Sequence, residues 1–203
     1  KDCFDSLELA VAAAAQPPES VAALVINEVV SANVNSLHCA GCDKLGDWIE
    51  LYNPTNTAQS VDRFTLTDDP LKMDQQNLPA VTIEAGGLLL VYCCRGGDCD
   101  KSDGHVCVDL GVNNDGETLY LFDAWGSEIT NLTVPALDDD VSYARRSDGS
   151  YGYCKLPTPN GVNDDANILD STAPEAMGAD APVRINEVLP HNRYSLIDRD
   201  GDG

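Results

Sequence analysis

The segment Asp47-Trp48-Ile49-Glu50-Leu51-Tyr52 alternates with a period of two and is stopped by Asn53-Pro54. Ile49 and Leu51 fall on one face and Trp48, Glu50 and Tyr52 on the other, which predicts a half-buried β-strand. Proline has no N–H to give to a ladder, so the strand ends there. Short runs of similar character recur at Ala23–Val30, Val61–Thr67, Val81–Ile83, Leu88–Cys93, Cys107–Leu110, Glu117–Asp123, Glu128–Val134, Val141–Arg145 and Tyr151–Leu156. Turn signals lie between them, among them Glu84-Ala85-Gly86-Gly87, Asn113-Asn114-Asp115-Gly116, Ala124-Trp125-Gly126-Ser127 and Ser147-Asp148-Gly149-Ser150. Many short strands punctuated in this way predict an all-β sandwich. Leu88–Cys93 is almost wholly apolar and is predicted to be buried on both faces.

Charge narrows the partners. The chain carries 34 acids against 12 bases, a net charge of −22. Phosphate backbones and anionic membrane surfaces would be repelled, so nucleic-acid and membrane-surface binding are disfavoured, while cations are attracted. No run approaches the roughly 18 apolar residues of a membrane helix. Leu9–Ala15 is short and follows acids instead of a basic stretch, so it does not read as an intact signal peptide. Residues 3–15 are rich in alanine and leucine and are closed by Pro17-Pro18, which predicts a short N-terminal helix appended to the sandwich over residues 1–22.

Eight cysteines, Cys3, Cys39, Cys42, Cys93, Cys94, Cys99, Cys107 and Cys154, point to disulfides and an oxidising, extracellular or cell-envelope compartment. The expectation is that most or all are bridged. The cluster at 93, 94, 99 and 107 would pair mainly within itself, Cys3 would pair with Cys154, and Cys39 with Cys42. Structural zinc is the rival, but the spacing of the later cysteines does not repeat Cys39-x-x-Cys42, so disulfides are favoured.

Val25-Ile26-Asn27-Glu28-Val29-Val30 recurs as Arg184-Ile185-Asn186-Glu187-Val188-Leu189, an offset of 159 residues. At the same offset Asn33 meets Asn192, Ser36 meets Ser195 and Leu37 meets Leu196, giving seven identities in 12 residues without a gap. A sandwich domain is therefore expected over 23–163. A linker rich in Asp, Ala and Pro is expected over 164–182, and the truncated start of a second copy over 183–203, as in a tandem array.

Several short elements occur in a telling order. They are Ile26-Asn27-Glu28-Val29, Asp47-Trp48-Ile49-Glu50-Leu51-Tyr52-Asn53, Phe64-Thr65-Leu66-Thr67-Asp68-Asp69, Ile83-Glu84-Ala85-Gly86-Gly87, Asp115-Gly116-Glu117-Thr118-Leu119-Tyr120-Leu121 and Pro157-Thr158-Pro159-Asn160. As a set, over about residues 24–163, they resemble the lamin-tail domain as found in secreted bacterial proteins. The resemblance implies an immunoglobulin-like β-sandwich and a non-catalytic module of multidomain surface or secreted proteins. It brings no catalytic residues, and the cysteines and the insertion around 93–107 depart from the usual pattern.

Glu28 and Glu50 could form a carboxylate pair for a metal or for acid–base work; the favoured expectation is that they accept backbone N–H bonds instead. Trp48, Glu50 and Tyr52 form an aromatic–acid–aromatic stripe that could bind sugar or a protein, with packing against a neighbouring element the favoured alternative. His38, His105 and His191 fall in loops or in the second copy, and no nucleophile motif accompanies them. Asn131-Leu132-Thr133 is a formal glycosylation sequon. Asp198, Asp200 and Asp202 begin a calcium loop whose closing ligand is missing, with a solvated acidic tail the favoured alternative. At the 159-residue offset Cys39 aligns with Asp198 and Cys42 with Gly201, so a bridge in the first copy would do what an ion does in the second. No cofactor is expected to be required, and calcium is the one ion suggested.

The expected function is a non-enzymatic β-sandwich module, acting as a spacer or interaction unit beside neighbouring domains or other surface proteins. A carbohydrate-binding module and an accessory domain of a metal-dependent hydrolase are the alternatives.

Overall fold

The computed structural model describes residues 23–38, 45–72, 77–96 and 105–171. The chain divides into two units, Lys1–Thr172 and Ala173–Gly203. The expected N-terminal helix and the whole second unit, with its repeat at 183–203, lie outside the described residues.

Twelve strands follow in order: β1 (Val25–Val30), β2 (Asp47–Tyr52), β3 (Gln59–Ser60), β4 (Thr65–Thr67), β5 (Thr82–Ile83), β6 (Leu88–Cys93), β7 (Val106–Val108), β8 (Glu117–Phe122), β9 (Glu128–Val134), β10 (Ser142–Arg145), β11 (Tyr151–Cys154) and β12 (Ile168–Leu169). A seven-stranded sheet runs β12-β11-β10-β1-β2-β6-β7, a three-stranded sheet runs β4-β8-β9, and β3 pairs with β5. All pairs are antiparallel except β6 with β7. The two larger sheets close on one apolar core. Ile26, Val29, Ile49, Leu51, Val91 and Val108 come from the first, and Leu66, Leu119, Leu121, Leu132 and Val134 from the second. This is the all-β sandwich that the strand spacing predicts.

The turns follow their chemistry. Gly86, Gly116, Gly126 and Gly149 each take a positive φ, a conformation that costs glycine nothing. Gly126 and Gly149 lie in the β8–β9 and β10–β11 hairpin loops, where Asp123 and Asp148 accept backbone N–H bonds. The expected strand over 61–67 shrinks to Thr65–Thr67 because Arg63 turns left-handed, with φ of 59°.

Three further expectations are corrected. β2 is not half-buried: Trp48 through Leu51 are all buried, on both faces, because the strand is central and other chain segments cover its second face. The linker does not start at 164. Asp164 caps a 3-10 turn over Asp165–Asn167, and β12 then pairs with β11, so the domain runs past residue 163. The cysteines are not uniformly bridged either. Cys93 lies inside the main core as a free thiol, and Cys154 is a buried free thiol donating to the Leu156 carbonyl oxygen at 3.2 Å, so the expected bridge to Cys3 is not made. Burial pushes both thiols above the ordinary range. Cys107 is disulfide-bonded, and Cys3, Cys39, Cys42 and Cys99 lie outside the described residues.

Candidate functional site

A bulge in β1 decides where the polar side chains go. Ile26 registers with Leu51 and Glu28 with Glu50, so Asn27 is one residue too many for the ladder. Ile26 and Val29 therefore both face the core, while Asn27 and Glu28 are carried together to the opposite face beside Glu50. Glu28 and Glu50 are each fully buried.

The segment Pro157–Asn163 lies across this pair. Glu28 Oε1 accepts from Ser142 Oγ at 2.5 Å and from the Thr158 backbone N–H at 3.1 Å. Glu28 Oε2 also receives the Thr158 N–H at 3.1 Å and lies 3.0 Å from Thr158 Oγ1. Glu50 Oε1 accepts from Asn27 Nδ2 at 2.8 Å, and Oε2 from the Asn160 N–H at 2.6 Å. Asn163 closes the cluster, its Nδ2 donating to the carbonyls of Asn27 at 3.2 Å and Arg145 at 2.8 Å. Burial pushes the Glu28 carboxyl above its usual range against the pull of the Ser142 and Thr158 hydrogen bonds. Burial likewise lifts Glu50 to about 7, opposed by the bonds from Asn27 and Asn160 and helped by the charge of Glu28.

A general acid or base needs an oxygen turned toward a substrate. Here every carboxylate oxygen is engaged by the chain itself, so the pair fastens a loop to a sheet, as the favoured expectation had it. The other polar residues of the same motifs act alike. Asn53, fully buried, donates from Nδ2 to the carbonyls of Thr57, Ile83 and Glu84 at 2.8, 2.9 and 3.0 Å. Its Oδ1 accepts from Thr55 N and Oγ1 at 3.0 and 2.7 Å. Asp47 accepts from the Val112 N–H at 2.9 Å.

The aromatic stripe does not form a surface. Trp48 is fully buried in a second cluster with Val30, Leu90, Tyr92 and Cys107, packed by Leu37, while Tyr52 is only half-buried. Trp48 is covered by the 31–38 loop, and that loop is fixed by two residues the motifs did not flag as anchors. Asn33 Oδ1 accepts from Ser36 Oγ and Leu37 N, and its Nδ2 donates to the Leu37 and Gly46 carbonyls. Asp140 Oδ1 receives the N–H groups of Val34, Asn35 and Ser36 at 2.8, 2.8 and 2.9 Å, which hold its carboxyl below the usual range. Asn33, Ser36 and Leu37, matched at the 159-residue offset by Asn192, Ser195 and Leu196, together form one turn.

An open cleft of about 750 Å³ lies elsewhere, lined by Asp47, Asp68, Cys93, Arg95, Asn113 and Glu117 among others. Burial raises Asp47 there to about 6, against the Val112 hydrogen bond and the nearby Arg95 charge. Among the described residues no group of three His, Cys, Asp or Glu side chains is placed to hold a metal ion. Asp198, Asp200 and Asp202 lie outside the described residues, as does His191. No described helix is long and apolar enough to cross a membrane.

Sequence reasoning missed Ser142, Thr158 and Asn160 as partners of the carboxylates. The Pro157-Thr158-Pro159-Asn160 motif was the available signal, since the prolines hold this stretch out of helix and ladder and leave the Thr158 and Asn160 N–H groups to find acceptors elsewhere.

The family description Lamin Tail Domain matches residues 17–136. Asn27, Glu28, Asp47, Glu50 and Asn53 all fall inside that span, whereas Ser142, Thr158, Asn160 and Asn163 fall beyond it. A comparison with curated proteins finds none that matches.

Proposed function

This chain belongs to the lamin tail domain family, a non-catalytic immunoglobulin-like β-sandwich, and from that premise we propose that it serves as a spacer or protein-interaction module within a larger extracellular or envelope-associated protein. The observation that carries this reading is the state of Glu28 and Glu50. The carboxylates best suited to acid–base chemistry are sealed beneath Pro157–Asn163, with their oxygens engaged by Asn27, Ser142, Thr158 and Asn160. A carbohydrate-binding role loses its strongest platform with Trp48 buried. The extracellular address is supported by the cysteine count and by the disulfide on Cys107. Calcium binding through Asp198, Asp200 and Asp202 belongs to the same proposal, as an ion held by the following copy and not by this one.

The purified chain is to be assayed on panels of esters, phosphate esters and glycosides across pH 5–8, with and without added divalent cations. No turnover is expected. Turnover that disappears in Glu28→Gln or Glu50→Gln, while the variant keeps its circular dichroism and melting transition, would overturn the module reading.

A further inference from the structure

Glu28 and Glu50 face one another across β1 and β2, and no cation among the described residues is paired with either. The three ion pairs among the described residues, Arg63–Asp62, Lys72–Asp69 and Arg146–Asp170, are all elsewhere. Two adjacent buried carboxylates with no countercharge ionise together only at high cost.

The hydrogens around the pair can be counted. Asn163 Nδ2 has two, and both go to carbonyls, those of Asn27 and Arg145. Turning the amide over would set its oxygen against those two carbonyls, so Asn163 Oδ1 is the atom that faces Thr158 Oγ1, at 2.9 Å. The Thr158 hydroxyl has a single hydrogen, yet it also lies 3.0 Å from Glu28 Oε2. If that hydrogen goes to Glu28, the contact with Asn163 sets lone pairs against each other. If it goes to Asn163, the contact with Glu28 lacks a hydrogen unless Glu28 supplies one. A proton on Glu28 Oε2 satisfies both contacts: Glu28 donates to Thr158, and Thr158 donates to Asn163. Glu28 Oε1 stays free to accept from Ser142 and the Thr158 N–H, while the Glu50 oxygens face only the N–H donors of Asn27 and Asn160, so above about pH 7 the proton of the pair sits on Glu28 and the charge on Glu50.

We propose that Glu28 and Glu50 form a one-proton site that latches the segment Pro157–Asn163 onto the sheet, so that loss of the proton as the pH rises loosens this connection between β11 and β12. Among the described residues the positive charges on neighbouring elements are engaged elsewhere. The β11 thiol of Cys154 is raised by burial and further by the charge of Glu28, and Asp164, which also acts on that thiol, is an acid. Arg145 acts on Tyr151, and Arg146 is held by Asp170 and the Tyr151 and Ile168 carbonyls. Leu90, opposite Glu50 on β6, is apolar. The sign agrees: a carboxyl whose native value lies above its unfolded one contributes stability in acid that is lost as the pH rises through the native value.

The test uses the whole chain with carboxyl-labelled glutamate and nuclear magnetic resonance. At pH 6 the Glu28 carboxyl carbon should stand at its protonated position. Protection of the Thr158 and Asn160 amides, corrected for intrinsic exchange, should fall by roughly tenfold per pH unit once the site titrates, while the β8 and β9 amides hold. In Glu28→Gln, whose amide supplies both the donor and the acceptor, that protection should not depend on pH. A Glu28 carboxyl that ionises in the ordinary range below pH 5 would refute the latch, and wild-type chain alone suffices for that measurement. The same loss of protection in Glu28→Gln would also refute it. Neither result would touch the module reading, which the turnover panels test separately.

Discussion

Asn53→Asp exchanges one NH₂ for an oxygen and leaves the shape of the side chain unchanged, yet it should be among the most damaging single substitutions in this domain. The wild-type Nδ2 serves three carbonyl oxygens, those of Thr57, Ile83 and Glu84, within 3.0 Å. In the variant an oxygen faces all three. Two N–H hydrogens are lost at about 1 kcal/mol each, and the unsatisfied acceptors add about 1–3 kcal/mol more, giving about 3–5 kcal/mol. At about 2–4 °C per kcal/mol for a domain of this size, the melting temperature should fall by roughly 6–20 °C. Asn53→Ala removes the same donors and also the Oδ1 that accepts from Thr55, but it sets no buried charged oxygen against the three carbonyls, so it should still cost less at pH 7, about 2–4 kcal/mol. The damage in Asn53→Asp should shrink toward acid pH, where a protonated carboxyl can again donate. Equilibrium urea unfolding at pH 7 and pH 4 followed by circular dichroism checks each statement. An Asn53→Asp variant within 1 kcal/mol of wild type at pH 7, or one more stable than Asn53→Ala there, would show that these carbonyls find other partners and that Asn53 does not organise the turn.

Three further outcomes are expected. Asp47 is raised by burial from 3.8 to about 6, so its contribution is present below about pH 4 and lost as the pH rises through about 6. Asp47→Asn should therefore exceed wild type by about 1–2 kcal/mol above pH 7, allowing for partial contact with water, and converge with it in acid, as denaturant melts across pH would show. Trp48→Ala should cost about 3–5 kcal/mol through the cavity left among Val30, Leu90 and Tyr92, read from the urea midpoint. Cys93 and Cys154 should resist alkylation in the native chain and react once it is unfolded, and mass spectrometry after differential labelling should find the alkyl group on both only in the unfolded sample.

Much of the fold was legible because local chemistry and tertiary structure agree. Leu88–Cys93 reads as an apolar run and is a central strand, and the Gly126 and Gly149 turns lie where glycine punctuates alternating segments. What failed was information carried by distant chain. The alternation in Asp47–Tyr52 cannot tell that Glu50 is covered by a segment 110 residues away. β12 is two residues long in an Asp-rich stretch, and only β11 gives it a reason to be extended. The cysteines misled because neighbouring residues in a strand point to opposite faces: Cys93 enters the main core, while Cys94 packs against the Trp48 cluster. Of the candidate site, Glu28 and Glu50 were identifiable as a pair, but the donors from Ser142, Thr158 and Asn160 were not, since nothing local links them.

The bulge at Asn27 also gives β1 a point of slack. Ile26 and Val29 both face inward although they are three apart, so a chain lacking Asn27 would return to strict alternation with Ile26, Glu28 and Val29 still on their present sides. It would forfeit the bond to Glu50 and the local bend, but not the phase of the strand. Removal of Val29 instead would bring Val30, now part of the Trp48 cluster, into its place and shift every later side chain by one position. Length variation in this strand therefore has one natural address, and a gap opened in comparing shorter relatives belongs at Asn27. The matching segment Ile185-Asn186-Glu187-Val188 keeps the same count.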